Sequence, residues 1–386
     1  MNILYLDWPC FGKIDVLFTL EQMGHKVTMF FHKEYLERKS ETFNDYFDQF
    51  VENQTFDFCF SYNYYAIMSE NCKRHHMKYV ALVYDSPQVM LYSYTLINPN
   101  NYVFLFDKQQ YLEFKNAGIN TVYYSVLPVN STIIDFLMTK DFDRDKLSAD
   151  VSFVGALYHE DHNFFDRLSG LKDYSKGYLD GIMAAQLKIY GYNFIEELLN
   201  EDITKDLIRV SPYKNDYQGV ETPQYIYANY FINRKLTQME RMSLLTALSK
   251  ETPLKLYTLD RSIQIPGATN MGAVDYYSEM PYVFHNSKIN LNITLRSIKT
   301  GIPLRCMDIL GAGGFLMTNF QSDFLEYFTP DEDFVFYEDE ADLVKKTLYY
   351  LEHEDERIRI AQNGHQKAKE QHSFEKCFAR ILEIIQ

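Results

Sequence analysis

Arg305 and Asp308 are the only two charged residues in a segment, Pro303–Ala312, that is otherwise apolar or small. Their spacing of three places them on neighbouring positions of one helix face. Charged side chains are rarely buried without a partner, so the pair requires an explanation. One interpretation is an internal ion pair that stabilises the helix. The other is a binding site in which the helix N-terminus and Arg305 hold an anion such as a phosphate, while Asp308 accepts from a ribose hydroxyl. Further basic residues near the same helix end favour the second interpretation: Lys288, Arg296 and Lys299.

The flanking sequence predicts the elements that position these two residues. Ile289–Leu295 alternates apolar and polar residues, which is typical of a strand entering a sheet. Pro303 suits the first turn of a helix, because its missing N–H would have no partner there, and we expect the helix to reach about Ala312. Glycines then favour a sharp turn before the apolar strand Phe315–Thr318. The result is one predicted β-loop-α-β unit.

Composition limits the classes of function. The chain has 386 residues, enough for two domains of ordinary size, and its 46% hydrophobic and 24% charged residues are typical of a globular protein. The formal net charge of -15 argues against broad binding of nucleic acid or of an anionic membrane, since both require a basic face. An anionic ligand must therefore be met by a local basic cluster.

The cysteines and the N-terminus indicate a reducing compartment. The five cysteines are scattered and form no CxxC pair, so we expect reduced residues rather than disulfides or a zinc site. The first residues, MNILYLDW, are predicted to form a strand rather than a leader. No apolar run approaches the roughly 18 residues that a transmembrane helix needs. We therefore expect a cytoplasmic protein with no transmembrane segment.

Strand-like and helical segments alternate along the first 145 residues. The strand Asn2–Leu6, a helix over Ile14–Met23 and a strand over His25–Phe31 form a βαβ unit, which implies a parallel sheet. Further strands are predicted at Phe56–Tyr62, Lys78–Tyr84, Tyr102–Phe106 and Val122–Leu127. This pattern predicts a Rossmann-like α/β domain over residues 1–145.

A second α/β domain is predicted over residues 150–373, after a charged linker at Asp141–Asp150. It opens with the strand Val151–Ala156 and carries a helical insert at about 164–211. The amphipathic segment Phe374–Ile385 could cross back to the first domain, so residues 374–386 are assigned there. The predicted fold class is α/β, with two Rossmann-like domains facing across a cleft.

The residues that follow the predicted strands are the candidates for a site, because ligands of open α/β sheets bind outside the carboxyl ends of the strands. In the first domain these residues are Asp7, Gly12, Asp85 and Asp107. In the second domain they are Gly155, Thr258 and the stretch from Arg296 to Arg305. We expect the site to lie in the cleft between the two sheets.

Several common sites are not indicated. The segment His159-Glu160-Asp161-His162 has two histidines three apart, but no third ligand at a useful spacing, so a polar loop is favoured over a metal site. No GxxxxGK[ST], GxSxG or GxGxxG motif follows a predicted strand, which argues against P-loop, hydrolase and dinucleotide sites. We expect no bound metal and no cofactor.

Three stretches of the second domain carry a resemblance to a known family: DVSFVGALY (150–158), SKINLNITLRSIKTGIPLRCMDILGAGGFLMTNF (287–320) and YYLEHEDERIRIAQNGHQKAKEQHSF (349–374). In combination they resemble GT-B glycosyltransferases, and among these the spore-maturation CgeB-like glycosyltransferases. The first domain matches more loosely, through its strand pattern, the DSP tripeptide and the Leu-Pro at 127–128.

The resemblance implies metal-independent transfer from a nucleotide sugar that is held by the second domain, with the acceptor held by the first. A UDP-linked donor is expected. Related enzymes have two acidic residues eight positions apart. The second corresponds to Asp308, which would bind the ribose; the first corresponds to Thr300, which is not acidic and leaves the donor sugar open. Arg305 matches the arginine of the family, and Arg234 and Lys235 are candidates by position.

These expectations assign roles to the candidates. The developing diphosphate charge needs cations, for which we select Arg305, then Arg234, Lys235 and Lys299. An inverting enzyme also needs a base, for which Asp85 is the first choice, whereas a retaining enzyme does not require one. The donor-binding set is completed by Gly155, Thr258, Arg296, Thr300, Gly301 and Asp308, and the acceptor-side set consists of Asp7, Gly12 and Asp107.

Two alternatives to the transferase remain open from the sequence. One is a non-catalytic nucleotide-sugar-binding or scaffold relative, and the other is a nucleotide-sugar epimerase on the same fold. The expected partners are a nucleotide sugar and a glycan or protein acceptor, with no nucleic acid. A homodimer through the helical insert is possible.

Overall fold

The computed structural model describes residues 1–159 and 163–386. The chain divides into two compact units, each assembled from separate stretches of sequence. The first unit contains Met1–Leu127, Tyr213–Thr222 and Phe374–Gln386, and the second contains Pro128–Pro212 and Pro223–Ser373. The first division falls at Leu127, earlier than the boundary at 145 that composition suggests.

A six-stranded parallel sheet forms the centre of the first unit. Its strands are Asn2–Leu6 (β1), Lys26–Phe30 (β2), Phe58–Tyr62 (β3), Lys78–Val83 (β4), Asn101–Leu105 (β5) and Val122–Tyr124 (β6). They lie in the order β2-β1-β3-β4-β5-β6, with Leu4 opposite both Thr28 and Cys59. The central strands are buried on both faces, which explains why they read as continuous apolar runs.

Helices flank this sheet, and two of them begin at a capping side chain. They are Lys13–Gln22 (α1), Glu41–Val51 (α2), Ala66–Arg74 (α3) and Lys108–Asn116 (α4), with short 3₁₀ turns at Val89–Leu91 and Tyr94–Ile97. Ser40 caps α2 by accepting from the Phe43 N–H at 3.0 Å. Phe43, Phe47 and Val51 recur at helical spacing on its buried face.

A second six-stranded parallel sheet forms the centre of the second unit. Its strands are Val151–Val154 (β7), Leu254–Tyr257 (β8), Ala268–Asn270 (β9), Ile289–Asn292 (β10), Leu316–Asn319 (β11) and Val335–Tyr337 (β12). The order is β12-β11-β10-β7-β8-β9. Leu291 of β10 lies between Phe153 of β7 and Met317 of β11, at the centre of the core.

The helices of the second unit include the predicted insert. Before and within the insert they are Ile133–Leu137 (α5), Arg144–Leu147 (α6), Asp173–Gln186 (α7), Ile195–Leu198 (α8), Glu201–Val210 (α9) and a 3₁₀ turn at Phe165–Arg167. Beyond the insert they are Pro223–Ile226 (α10), a π-helical stretch at Tyr227–Ile232, Asn233–Glu251 (α11), Met280–Asn286 (α12), Leu304–Gly311 (α13), Phe324–Tyr327 (α14), Glu340–Glu352 (α15) and Glu354–His372 (α16).

The last helix, Phe374–Ile385 (α17), belongs to the first unit. Its residue Phe378 is fully buried, with its ring centroid 5.4 Å from that of Phe60 in β3. Lys78 at the start of β4 donates from Nζ to the carbonyl of Ile385. This helix therefore packs against a sheet whose strands lie about 250 residues or more before it in the chain.

The predicted α/β class with Rossmann-like sheets is confirmed, and the differences lie at element ends. The strand predicted at Ile289–Leu295 ends at Asn292, because side chains replace the strand partners beyond it: the Thr294 N–H donates to Asn319 Oδ1 at 2.8 Å. Pro303 precedes its helix rather than starting it, with φ −63° and ψ 151°. Within the part of the chain that the structure describes, no helix has the length and apolarity needed to span a membrane.

Candidate functional site

The helix α13 holds the charged pair Arg305 and Asp308. Asp308 accepts from Tyr276 Oη at 2.9 Å, and its other oxygen lies 3.2 Å from Arg305 Nη1. The same Arg305 nitrogen contacts Met280 Sδ, and the guanidinium lies over the Phe284 ring. Burial raises the pKa of Asp308 to about 6, although Arg305 and Tyr276 act to lower it. The predicted ion pair is therefore present, and the carboxylate is held in an environment that opposes its charge.

Arg241 of α11 is a buried cation that the sequence analysis did not select. Its Nε donates to the Ile293 carbonyl at 3.1 Å, and its Nη1 donates to the Ala156 carbonyl. It therefore joins the loop after β10 to the loop after β7. No carboxylate among the described residues lies within ion-pair distance of it. Burial lowers the pKa of Arg241, and the positive charge of Arg305 adds to this effect.

The amphipathic pattern of α11 contains the signal that would have identified Arg241. Leu244, Leu245 and Leu248 lie three, four and seven residues after it and are buried, so they share its helix face. A charge on an apolar helix face is unusual unless a partner or a ligand compensates it. Because Arg241 and Arg305 are close enough to repel each other, an anion between these strand ends would stabilise both.

The strand ends beside Arg241 supply further polar groups. Gly155 follows β7, and its N–H donates to the Tyr257 carbonyl at 3.0 Å. Thr258 follows β8 and is 1% exposed, and its hydroxyl finds no hydrogen-bond partner in the described part of the chain. A buried hydroxyl without a partner costs free energy, so a ligand that bonds to it would be favoured. Gly155 and Thr258 therefore lie close together at this edge, and their role in binding a donor stays a prediction.

Arg296 lies at the same edge, but its guanidinium already has hydrogen-bond partners within the protein. Its Nε and Nη2 each lie 2.7 Å from an oxygen of Glu240, and its Nη1 donates to the Ile189 carbonyl at 2.7 Å. Tyr190 stacks against it and also donates to Glu240. Both members of the pair are buried. Arg296 therefore anchors the helical insert to the loop after β10, and a direct contact with a donor stays a prediction.

The other residues of that loop border the same edge. Lys299 lines a small polar pocket with Arg296, Asn193 and Gln321, next to the insert. The carbonyl of Thr300 accepts from the Asp323 N–H at 3.1 Å. Gly301 separates this residue from Ile302 and Pro303 and is buried. These three candidates lie together, between β10 and α13.

Arg234 and Lys235 lie in the first turn of α11, and both side chains have partners there. The Arg234 guanidinium lies 5.4 Å from the centre of the Tyr230 ring. Lys235 Nζ is 2.7 Å from Asp166 and 2.8 Å from Gln238 Oε1. Lys235 therefore joins the insert to α11, whereas Arg234 contacts the π-helical stretch before α11. The role of both residues in binding a donor stays a prediction.

In the first unit, the loop after β1 brings two of the predicted residues together. Asp7 forms an ion pair with Lys13. Gly12 adopts φ 76° directly before α1, and a Cβ at this position would lie 2.5 Å from Tyr62 Oη. Only glycine fits this close approach without moving the tyrosine. The Cys10 thiol lies beside them, and burial raises its pKa, with Asp7 and Asp85 contributing.

Asp85 and Asp107 follow adjacent strands but have different surroundings. Asp85 is exposed and accepts from Asn63 Nδ2 at 2.7 Å, while the Asn63 side-chain oxygen accepts from the Asp85 N–H at 3.2 Å. This reciprocal pair orients the carboxylate. Asp107 is 2% exposed and caps α4, accepting from the N–H groups of Gln109 and Gln110. These contacts give Asp107 a structural role, and its role on the acceptor side stays a prediction.

An aromatic cluster next to Asp7 and Asp85 was not selected from the sequence. Trp8, the only tryptophan of the chain, lies nearly parallel to Tyr35 and Tyr84, and its Nε1 donates to the Tyr62 carbonyl at 3.1 Å. Because Trp8 follows Asp7 and Tyr84 precedes Asp85, the order of the sequence could have indicated that aromatic rings accompany the carboxylates at these strand ends.

No cluster of three or more potential metal ligands is present among residues 1–159 and 163–386. Of the histidine-containing segment, only His159 is described, with its Nδ1 3.4 Å from the Leu157 carbonyl. Glu160, Asp161 and His162 lie outside the described residues, so the expectation that they form a polar loop is untested.

The comparison with protein families gives a match that lies mainly in the second unit. Residues 243–383 match a family described as glycosyl transferase-like. The matched region includes β8, the loop after β10 and α13, and therefore both Arg305 and Asp308. No curated protein matches the sequence.

Solved structures resemble the whole chain at low identity. A glycosyltransferase from Rickettsia africae has a TM-score of 0.53 at 11% identity, covering 100% of this chain and 97% of that one. Anabaena HepE, in complex with UDP-glucose, has a TM-score of 0.54 at 11% identity, with 100% and 99% covered. A UDP-forming α,α-trehalose-phosphate synthase from Burkholderia xenovorans has a TM-score of 0.52 at 12% identity, with 100% and 98% covered. These similarities establish the fold, which is the GT-B fold of two Rossmann-like units.

Proposed function

We infer that this protein is a glycosyltransferase with the GT-B fold, and we propose that its donor is a UDP-linked sugar. The family match over residues 243–383 supports the activity. The similar structures from Anabaena and Burkholderia xenovorans, described with UDP-glucose and as UDP-forming, support the choice of nucleotide. The observation that carries the proposal is the group of Arg305, Asp308 and Arg241 at the carboxyl edge of the second sheet.

The donor would be held by complementary groups of the second unit. Its diphosphate needs positive partners, which Arg305 and Arg241 can provide together with the unpaired N–H groups at the start of α13. Asp308 would accept from a ribose hydroxyl, in place of part of its present hydrogen bonding. The unpaired hydroxyl of Thr258 offers one more contact, beside Gly155.

The same cations would stabilise the transition state. As the glycosidic bond breaks, negative charge grows on the leaving diphosphate, and fixed positive charge at that point lowers the barrier. We propose that Arg305 and Arg241 supply this charge without a metal, with Lys299 as a further source. At the position of Thr300, related enzymes have a carboxylate that is expected to contact sugar hydroxyls. Because this chain has threonine there, we propose that other residues of the loop select the sugar.

We assign the acceptor to the first unit. Asp85 is accessible and oriented by Asn63, as a general base must be. The rings of Trp8 and Tyr84 beside it offer apolar surface of the kind on which sugar rings pack. We therefore favour a glycan over a protein acceptor, with Asp7 next to the same cluster. Membership of the CgeB-like group, a cytoplasmic location and a homodimer remain parts of the proposal.

The first experiment is thermal unfolding of the purified protein with UDP, UDP-glucose and other nucleotide sugars. A ligand present at a hundred times its dissociation constant stabilises the folded state by about 2.7 kcal/mol, which gives a clear shift of Tm. We expect UDP to stabilise the native protein but neither Arg305→Ala nor Asp308→Asn. Arg359→Ala, an exposed position on α16, is the matched control and should respond like the native protein.

The outcomes separate the alternatives. Release of UDP that depends on an added glycan supports the transferase. Binding of UDP-glucose without release of UDP supports a non-catalytic relative, and conversion of the sugar without an acceptor supports an epimerase. If no nucleotide stabilises the native protein, the proposed donor site is wrong.

A further inference from the structure

A second cavity of about 350 Å³ lies in the second unit, away from the donor residues. Its polar lining consists of His285, Asn286, Ser287, Lys288, Arg357 and Gln362. This volume is within the range of small-molecule sites. Among the described residues that line it, none is acidic, although the chain as a whole has a net charge of -15.

The cavity is at the opposite end of the elements that carry the donor residues. Ser287 and Lys288 directly precede β10, whereas the predicted donor loop follows that strand. The expectation that Lys288 lies near the start of α13 is therefore wrong. Gly313, just beyond the end of α13, also lines the cavity, whereas Arg305 lies in the first turn of the helix. Because α13 has eight residues at 1.5 Å each, about 12 Å of helix separates the two places.

Ser287 supplies an unused hydrogen-bond donor. Its side chain is 6% exposed, and its hydroxyl has no hydrogen-bond partner among the residues that the structure describes. Burying a hydroxyl without a partner is unfavourable, and serine at such a position is explained if a ligand accepts from it.

Arg357 supplies a buried positive charge that is only partly compensated. It is 6% exposed, and its Nη1 donates to the Tyr350 carbonyl at 2.6 Å. Its Nη2 lies 3.8 Å from Glu354, a side chain that is 72% exposed, so this ion pair is weak. Burial lowers the pKa of Arg357, and Glu354 and Asp150 offset this only in part.

The other polar groups at the cavity are also mostly hydrogen-bond donors. Lys288 Nζ lies 2.6 Å from Asp150 in a partly exposed ion pair. His285 lies 2.9 Å through Nδ1 from the Ala312 carbonyl. The guanidinium, the ammonium and the hydroxyl are all donors, whereas the two nearby carboxylates, Asp150 and Glu354, lie outside the lining. An acceptor-rich anion is the ligand that matches this set.

We propose that this cavity binds a phosphate group, either free or carried by a small sugar phosphate, with Arg357, Lys288 and Ser287 as its donors. The site is separate from the donor site and does not depend on the proposed function. Any coupling between the two sites would be reciprocal.

The test is calorimetric titration of the full chain with inorganic phosphate, and separately with glucose 6-phosphate, at constant ionic strength. We expect both to bind the native protein, and Arg357→Gln to weaken binding by at least about tenfold. Arg359→Gln makes the same change at an exposed position of the same helix and should bind like the native protein. Tighter binding of glucose 6-phosphate than of phosphate would identify an organic phosphate as the ligand.

Ser287→Ala separates a loss of ligand contact from a loss of folding. Because the hydroxyl has no partner in the described structure, its removal should leave Tm of the free protein equal or raise it, while phosphate affinity falls by about tenfold. Because the proposed donor site would also take a phosphate, Arg305→Gln identifies binding at that site, and phosphate binding that persists in this variant is assigned to the cavity. The proposal is overturned if phosphate does not bind, if Ser287→Ala binds normally, or if only Arg305→Gln weakens binding.

Discussion

At the scale of single residues, two opposing effects act on the charge of the Asp308 carboxyl. Its burial disfavours the charged form and raises its pKa from 3.8 to about 6, while Arg305 and Tyr276 favour the charge. The folded protein therefore binds this proton more tightly than the unfolded chain. The resulting stabilisation is fully present below about pH 4 and is lost as the pH rises through about 6. At neutral pH the protein holds a charge that burial opposes.

Asp308→Asn tests this at pH 7.5 and at pH 5. The amide resembles the protonated acid, so we expect the variant to unfold at a higher temperature than the native protein at pH 7.5, by up to about 3 kcal/mol in stability. The difference should fall to roughly half near pH 5 and become small only below about pH 4, where the carboxyl is protonated in both the folded and the unfolded chain. Thermal unfolding at both pH values measures it.

The same variant should lose UDP binding, because an amide replaces the carboxylate that accepts from the ribose. A more stable protein that binds its ligand less well would indicate that the carboxylate is retained for binding. If Asp308→Asn is less stable than the native protein at pH 7.5, the ion pair with Arg305 outweighs burial, and Asp308 is mainly structural.

At the scale of elements, two glycines in helix interiors have opposite surroundings. A Cβ at Gly364 in α16 would lie 2.2 Å from the Asp333 carbonyl oxygen, which is backbone and cannot move aside cheaply. A Cβ at Gly181 in α7 would meet nothing within 4 Å. Intrinsic helix propensity favours alanine at both positions by roughly 1 kcal/mol, so packing alone distinguishes them.

We expect Gly364→Ala to lower the free energy of unfolding by about 1–3 kcal/mol, as overpacking does, and Gly181→Ala to raise it by up to about 1 kcal/mol. Denaturant unfolding of the two variants against the native protein gives both values. Equal effects of the same sign would contradict the close approach of α16 to the chain at Asp333.

The elements themselves were largely predictable, and their ends were not. Strands such as Asn2–Leu6 were found as predicted, because buried parallel strands require continuous apolar runs. The strand at Ile289 was predicted too long, because the contacts that replace the ladder, from Arg241 and Asn319, come from remote segments. Arg305 and Asp308 were identified locally, since their contrast with an apolar helix is a local signal. Arg241 was not identified, because its contacts are with the carbonyls of Ile293 and Ala156, which are remote in sequence.

At the scale of the whole chain, the assembly of the first unit from three segments could not be read from local pattern. Tyr213–Thr222 belongs to it through a buried ion pair of Glu221 with Arg38, whose atoms are 3.0 Å apart across 183 positions of sequence. Neither residue has a neighbour in sequence that indicates the other. Amphipathic spacing did indicate that the final segment is a helix with a buried face, which is α17.

The packing of α17 predicts that this helix stabilises the first unit rather than the second. Phe378 is fully buried against Phe60, so Phe378→Ala should cost about 3–5 kcal/mol. The loss should appear in the first unit: we expect hydrogen exchange to speed up in β3 and α1, and protection in β10 of the second unit to change little. Ile384→Ala, on the same helix but 41% exposed, should have a small effect.

Hydrogen exchange of the three proteins decides whether the last helix stabilises the first unit alone. If Phe378→Ala speeds exchange equally in both units, they unfold as one cooperative body, and the division by segments does not describe their energetics. If exchange in β3 is unchanged, α17 adds little to the unit in which it packs. The expected pattern would mean that residues 1–127 need a segment from the far end of the chain to reach their full stability, because the buried face of α17 completes their core.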